Sequence, residues 1–595
     1  MRRLSTGPSP AIFLLWFTTF SPASLAEQPS TPTPPKQEVR AVWIATAVGL
    51  DWPGSTDPDE QRHFLHEMIE NISRARLNTV FFQVRSRGDA MYRSLYEPWS
   101  ARLTGTLGRD PGWDPLEFAI AEAHNRGLEI HAWFNVYIAR TSPTPVPRTN
   151  PPHVVRAHPE WVKMHRDAWW MDPAIPEVRN YLVRVVLDLV RKYDLDGLQF
   201  DFIRYPDIDF DDSDSYRNYG GDQDRGDWRR ENISAFVRMA YDSIIALKPM
   251  MKVGSTPIGI YENITNGNGW EGRNSVFQDS RSWLKEGKHD YLVPQIYWNI
   301  GVSDMDPDFT SLVIDWQKNC FDRHVYPGVG AYKPHVLKEI REEIDVVRSE
   351  QCPGISFFRY EFISDTKVFG NRFHTLANIP PMPWKDNIPP LSPSKLLVME
   401  IEAGKFLLTW NPPTPASDGD AAKYYNIYRS TSEPVNTDDP MNLVHIAPTN
   451  TTAFLDVIDR PTAVKYYYTV TALDKGHNES LPAIVRPVIV EEIVEFARLF
   501  SSVTSLGRHY NDSERSVTFI PYALGDTSDV TLVVYDGGGA AVRTLVDAVL
   551  PPGQYVATLD ERFLPPGEYT YQLQAREAVL VRRMRIVHRR TPPPL

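Results

Sequence analysis

Cysteine is almost missing: Cys320 and Cys352 are the only two in 595 residues. They can close one disulfide at most, and their spacing does not require it. No cysteine or histidine cluster has zinc-ligand spacing, so a metalloenzyme is the most distant reading and neither metal nor cofactor is expected. Long blocks of one charge are missing too. Lys and Arg number 63 against 75 Asp and Glu, a formal net charge of -12. Phosphate binding needs a basic surface, so nucleic acid is not an expected partner.

A hydrophobic run long enough to span a bilayer is also lacking. Ala11-Ile-Phe-Leu-Leu-Trp-Phe17 is too short. It follows Met1-Arg-Arg3 and precedes the small residues of Ser21-Pro-Ala-Ser-Leu-Ala26, the order of a secretory signal peptide cleaved after Ala26. No cysteine follows it to carry lipid. The mature chain is expected to be exported (periplasmic, outer-envelope-associated or secreted), without a transmembrane segment, behind a Pro/Thr-rich disordered leader at 27–37.

What is present is a repeated unit. From residue 38 to 380 a short β-rich apolar run, a loop and an amphipathic helix recur. Candidate strands are Ala41–Thr46, Thr79–Arg85, Glu129–Asn135, Gly197–Phe202, Lys252–Pro257, Tyr291–Tyr297, Val325–Gly330 and Gly354–Tyr360. Near-continuous apolar strands alternating with helices imply a parallel sheet covered outside, and eight units imply an α/β fold, a (β/α)8 TIM barrel. The helix at 59–72 puts Phe64, Met68 and Ile72 on one face. Asp114 caps a helix opened by Pro115, and Gly127 ends it.

Chemistry in such a barrel sits where strands end. The predicted ends are polar or aromatic: Gln83 and Arg85, Trp133 and Asn135, Asp201 with Arg204 and Tyr205, Gln295 with Tyr297 and Trp298, then Arg359-Tyr-Glu361. Asp201 is the sharpest candidate for a nucleophile, general base or electrostatic stabiliser. Arg204 would favour its ionised form, or the two could form a structural bridge. Glycoside hydrolysis ordinarily needs a second carboxyl group as proton donor. Glu361 leads for it, with Glu262, Asp51 and the cap-like Asp172 open. Trp52, Trp133, Trp169, Trp170, Trp270 and Trp298 fall on or near the rim, where flat rings can stack on sugars. Arg230 lies in Asp227-Trp-Arg-Arg-Glu-Asn232, placed to reach the rim or the acidic loop 207–224. That loop reads as solvated acids, with calcium binding as its alternative.

Glu38-Val-Arg-Ala-Val-Trp-Ile-Ala-Thr46 with Asp51-Trp-Pro53, Phe82-Gln-Val-Arg85, Asp196-Gly-Leu-Gln-Phe-Asp201 through Arg204-Tyr-Pro206, Asp227 to Asn232, and Pro294-Gln-Ile-Tyr-Trp298 together resemble the glycosyl-hydrolase-like family 10 of bacterial envelope proteins. The resemblance spans residues 37 to 380. It implies a barrel hydrolase that cuts the β-1,4 bond between N-acetylmuramic acid and N-acetylglucosamine in peptidoglycan strands stripped of stem peptides. Many relatives carry two aspartates at the end of strand four, where this chain has Asp201 and Phe202.

A Pro-rich linker is expected at 381–392, and period-two alternation at 393–488 resembles a fibronectin type III sandwich. A connector at 489–510 leads to a C-terminal β-sandwich at 511–595. The expected function is a glycoside hydrolase of amino-sugar polymer, with a glycan as partner and protein partners unknown. Its rivals are a non-catalytic glycan-binding barrel and a hydrolase of another extracellular polysaccharide.

Overall fold

A computed structural model describes residues 33–586, except 143, 302–306, 403, 449–450, 459–464, 485–504, 507–508, 513–516 and 577. The expected signal segment and most of the leader and connector lie outside the described residues.

The barrel strands are β1 (Val39–Ile44), β2 (Thr79–Arg85), β3 (Glu129–Asn135), β4 (Gly197–Asp201), β5 (Lys252–Ser255), β6 (Tyr291–Leu292), β7 (His324–Val325 and Gly328–Val329) and β8 (Gly354–Phe357). Neighbours pair in parallel. The ladder begins and ends on the two halves of β7, one half pairing β6 and the other β8, so the sheet closes on itself. Strands β4 to β8 are all shorter than the sequence predicts, β6 the most, and β7 is split. Pro294 follows β6 and Pro327 splits β7; neither has an N–H to give the ladder.

The helices form for the reasons their sequences suggest. In α1 (Pro58–Arg74) the Asp57 side chain accepts from the N–H groups of Asp59 and Glu60. In α2 (Pro115–His124) Asp114 does the same for Leu116 and Glu117. The buried stripe of α1 is Leu65, Met68, Ile69 and Ile72, and Phe64 faces solvent. The helices α3 (Pro176–Lys192) and α4 (Arg225–Leu247) pack on each other outside the sheet.

The barrel interior is filled by a cluster separate from the sheet–helix layer: Val39, Ala41, Trp43, Ala45, Phe81, Trp133, Tyr291, Val293 and Tyr326. Large rings fit because small residues face them. A Cβ on Gly197 would lie 2.5 Å from the His131 ring, and one on Gly254 2.5 Å from that of Tyr291. Ile379 and Met382 join this cluster, with Trp384 against it, so the Pro-rich segment expected as a linker is packed under the barrel.

Two β-rich regions follow. Strands Ser394–Glu402, Lys405–Asn411 and Ala453–Val457 form one sheet, and Leu443–Pro448, Tyr424–Ser430 and Tyr467–Leu473 form another. Both enclose a core around Trp410, Tyr425 and Ile427. The last region pairs Val517–Leu524 with Gly553–Asp560 and carries a four-stranded antiparallel sheet from Ser528 to Ile586. The expected α/β barrel with C-terminal β-sandwich regions is the observed architecture. Among the described residues, no helix is long and apolar enough to cross a membrane.

The first sandwich is fastened to the barrel floor. Glu129, at the start of β3, lies 2.6 Å from both Lys252 Nζ and His477 Nε2 of the sandwich. Lys252 and His477 outweigh the burial that would raise the Glu129 pKa and hold the carboxyl well below its usual range.

Candidate active site

Strand β4 delivers Asp201 to the C-terminal face of the barrel. Register places it beside Asn135 of β3. Its carboxylate is 8% exposed. Oδ1 accepts the Phe202 N–H at 2.6 Å, and Oδ2 accepts Trp133 Nε1–H at 3.2 Å. Trp133 is itself fixed, edge-on to Trp43 at 4.9 Å and against Phe358 at 6.2 Å. Immediately after Asp201 the chain turns through Phe202 at φ 49°, a left-handed conformation that a bulky residue enters only at a cost of about 1–3 kcal/mol. That turn points the backbone N–H back onto the carboxylate.

Burial pushes the Asp201 pKa up to about 6, outweighing the two donors and the charge of Arg204. Arg204 does favour the ionised form, as expected, but desolvation is the larger effect. No direct bridge forms. Arg204 Nη1 donates to the carbonyls of Tyr205 and Pro206 at 3.2 and 3.3 Å. Its guanidinium lies among the rings of Trp170, Phe202 and Trp270 at 5.5, 5.1 and 5.0 Å. Phe202 thus serves as one wall of this cage.

Across the barrel mouth, Tyr297 stacks on Phe358 at 5.8 Å, and Tyr332 meets both rings edge-on. Burial, then the neighbouring Asp201 charge, raises the Tyr297 phenol well above its ordinary pKa. Trp298 is half-buried beside Lys333, whose Nζ lies 5.7 Å from its ring. Gln295, also half-buried, donates to the Thr256 carbonyl at 3.4 Å. Trp270 stands 48% exposed over Arg204. The result is a carboxyl group at the base of an aromatic-walled cleft.

Several strand-end residues have structural tasks instead. Trp52 is fully buried against Phe82 and Trp113 and donates to the Gln61 carbonyl, so it is no sugar platform. Tyr205 is likewise fully buried, packed between Phe210 and Phe277. Gln83 accepts the N–H groups of Thr46 and Ala47, tying β2 to the loop after β1. Arg85 is enclosed by Glu97 and the carbonyls of Asn135 and Val136. Asn135 donates to the Ser86 carbonyl. Arg230 pairs with Asp227 one helical turn away. Each is polar because a buried polar group needs a partner at the barrel rim.

The candidate second carboxylates diverge. Asp51 has a fully buried side chain and accepts from Ala45 N–H, Glu361 N–H and Arg359. Burial still raises its pKa against these donors. It braces β1 to the loop after β8. Glu361 is exposed and pairs with Arg359 at 2.5 Å, and Glu262 pairs with Arg273 at 2.6 Å. Asp172 accepts from Ala174 N–H and the Ser215 hydroxyl. Among the described residues, Asp201 is the carboxyl that the cleft presents.

The acidic loop is used for local ties. Asp207 pairs with His165 and Arg166, Asp212 with Arg225 and Arg229, and Asp224 caps α4. Arg229 also donates to the carbonyls of Ile208 and Phe210, so it, not Arg230, holds the loop. Sequence reasoning also missed the walls made by Trp43, Tyr332 and Phe358. Trp43 was discoverable: it alternates with Ala41 and Ala45 on the inward face of β1.

A cavity of about 300 Å³ lies elsewhere, between Arg76, Thr375 and Leu376 of the barrel and Arg429, Met441 and Val444 of the sandwich. None of the strand-end residues lines it.

Comparison with known proteins agrees with this geometry. Residues 38–341 match the family described as glycosyl hydrolase-like 10. Glycosyl hydrolase YngK of Bacillus subtilis (strain 168) is 32% identical over 477 residues, covering 75% of this chain and 92% of that protein. Glycosyl hydrolase DigH of Escherichia coli (strain K12) is 33% identical over 305 residues, covering 47% and 70% respectively. Among solved structures, the glycoside hydrolase domain of PgaB (BpsB) from Bordetella bronchiseptica aligns with a TM-score of 0.43 at 12% identity, over 58% of this chain and all of that one. With a closed parallel barrel, a buried carboxyl group at its mouth and matches of this extent, the chain belongs to the glycosyl hydrolase-like 10 family and is a glycoside hydrolase.

Proposed function

We propose that this protein is an exported hydrolase of β-1,4-linked amino-sugar glycan, acting on peptide-free peptidoglycan strands through acid/base catalysis by Asp201. The observation that carries the reading is the Asp201 carboxyl, buried under Trp133 and pushed to a pKa of about 6. A carboxyl tuned to that range is protonated often enough to donate to a leaving oxygen and ionised often enough to take a proton back. Tyr297, Trp298 and Trp270 supply flat or hydroxylated surface for sugar rings. Export rests on the amino-terminal segment, and the substrate on the resemblance of the barrel motifs.

The test is mass spectrometry of products after incubation with peptide-free peptidoglycan strands, using the native protein and its Asp201→Asn form. Disaccharide-repeat fragments from the native protein alone support the reading. Fragments from both remove Asp201 from the centre. Binding without fragments from either favours a glycan-binding barrel.

A further inference from the structure

Arg204, half-buried at the barrel mouth, differs from the fully buried cations of the barrel rim and core. Arg85 is matched by Glu97, Arg229 by Asp212, Lys252 by Glu129 and Arg359 by Asp51. Arg204 forms no ion pair among the described residues. Its two protein hydrogen bonds both use Nη1 and both end on carbonyls of its own loop. Nε and Nη2 remain for something else. Burial lowers its pKa to about 10, with Asp201 and Asp207 opposing that only at a distance. Asp207 is already engaged by His165 and Arg166. The Trp170, Phe202 and Trp270 faces attract the cation but replace only part of the hydration it has given up.

A half-buried guanidinium with a free edge, held rigid by three rings beside the reacting carboxyl, is a ready partner for a planar anion. Resting on the proposed function above, we propose that Arg204 is a specificity residue that binds the free carboxylate of the substrate, the lactyl carboxylate of a muramic acid residue from which the peptide has been removed. In an intact strand that carboxyl is an amide with no charge to pair. Selection for peptide-free strands then comes from charge as well as from room in the cleft. The reaction that supplies this substrate is hydrolysis of the lactyl amide, since that step uncovers the carboxylate.

The test separates charge from size by changing the substrate. Peptide-free strands are compared with the same strands after carbodiimide coupling of their carboxylates to methylamine, and with chitin oligosaccharides that have no lactyl group. The full-length protein is expected to favour the free carboxylate over the methylamide by about tenfold or more in kcat/KM, the scale of one charge-assisted hydrogen bond. Arg204→Gln is expected to lose that preference, with KM rising about tenfold more on the free-carboxylate strands than on the methylamide. Arg204→Lys, which keeps the cation without the planar fork, is expected to retain part of it. Equal cleavage of carboxylate and methylamide strands by the native protein overturns the inference and leaves the hydrolase standing. An equal loss on both strands in Arg204→Gln also overturns it, assigning Arg204 to the upkeep of Asp201. Cleavage of none of the three overturns the hydrolase reading and this inference together.

Discussion

Replacing Asp201 with asparagine should weaken the enzyme and strengthen the fold, but only above a definite pH. The carboxyl titrates at about 6 in the native protein against an ordinary 3.8. At 1.36 kcal/mol per unit, that gap corresponds to about 3 kcal/mol. Between these two values the native state holds a proton that the unfolded chain has released, so stability falls as pH rises through the window. The penalty is absent below pH 3.8 and complete above about 6. The asparagine variant escapes it, being neutral at this position throughout. The amide gives up one of the two hydrogen bonds from Phe202 and Trp133, a loss of about 1 kcal/mol. The variant should therefore be slightly less stable than the native protein at about pH 4 and about 2 kcal/mol more stable at about pH 8. Urea unfolding of both proteins at each pH, followed by tryptophan fluorescence, measures the difference. A stability difference that does not change with pH would refute the reasoning, because it would mean that burial does not raise this carboxyl. Hydrolysis by the same variant should drop by about 10²–10⁴, the usual scale of a lost acid/base group.

The other carboxylates should separate by role. Asp51→Ala leaves Arg359 and two N–H groups without their shared acceptor and should cost about 3 kcal/mol or more in an unfolding titration, whereas Glu361→Gln and Glu262→Gln should leave stability and turnover nearly unchanged. Trp270→Ala should raise KM several-fold while the melting temperature stays put, since its ring is half exposed and lies against Arg204. His477→Ala should destabilise by about 1–3 kcal/mol, and a chain ending at residue 392 should show a barrel less stable than in the full protein when each is melted under the same conditions.

The barrel was legible because its signals are local. Apolar runs gave the strands, and an aspartate ahead of a proline gave the start of α2. Asp201 was legible for the same reason, as the one carboxylate closing an otherwise apolar strand. The direction of a side chain just past a strand end is not local. Trp52 and Trp270 look alike in sequence, yet one fills the space between Phe82 and Trp113 and the other stands in solvent. Nor does sequence reveal that Gln83 and Arg85 are consumed by backbone carbonyls, loop amides and Glu97. Their polarity signals a need for partners equally well met by protein or by ligand. The arginine beside Asp201 is visible in the sequence, but the depth of burial that outweighs its charge is not.

The clasp between Glu129 and His477 also orders events in time. Its two residues are 348 positions apart, so Glu129 and Lys252 wait beneath an open floor until the sandwich has been made. Synthesis of all eight strands is complete by Phe357, more than a hundred residues before the latch arrives. Final tightening of the barrel floor comes only after the second domain has been made, so the barrel completes its strands before it gains its last buried ion pair.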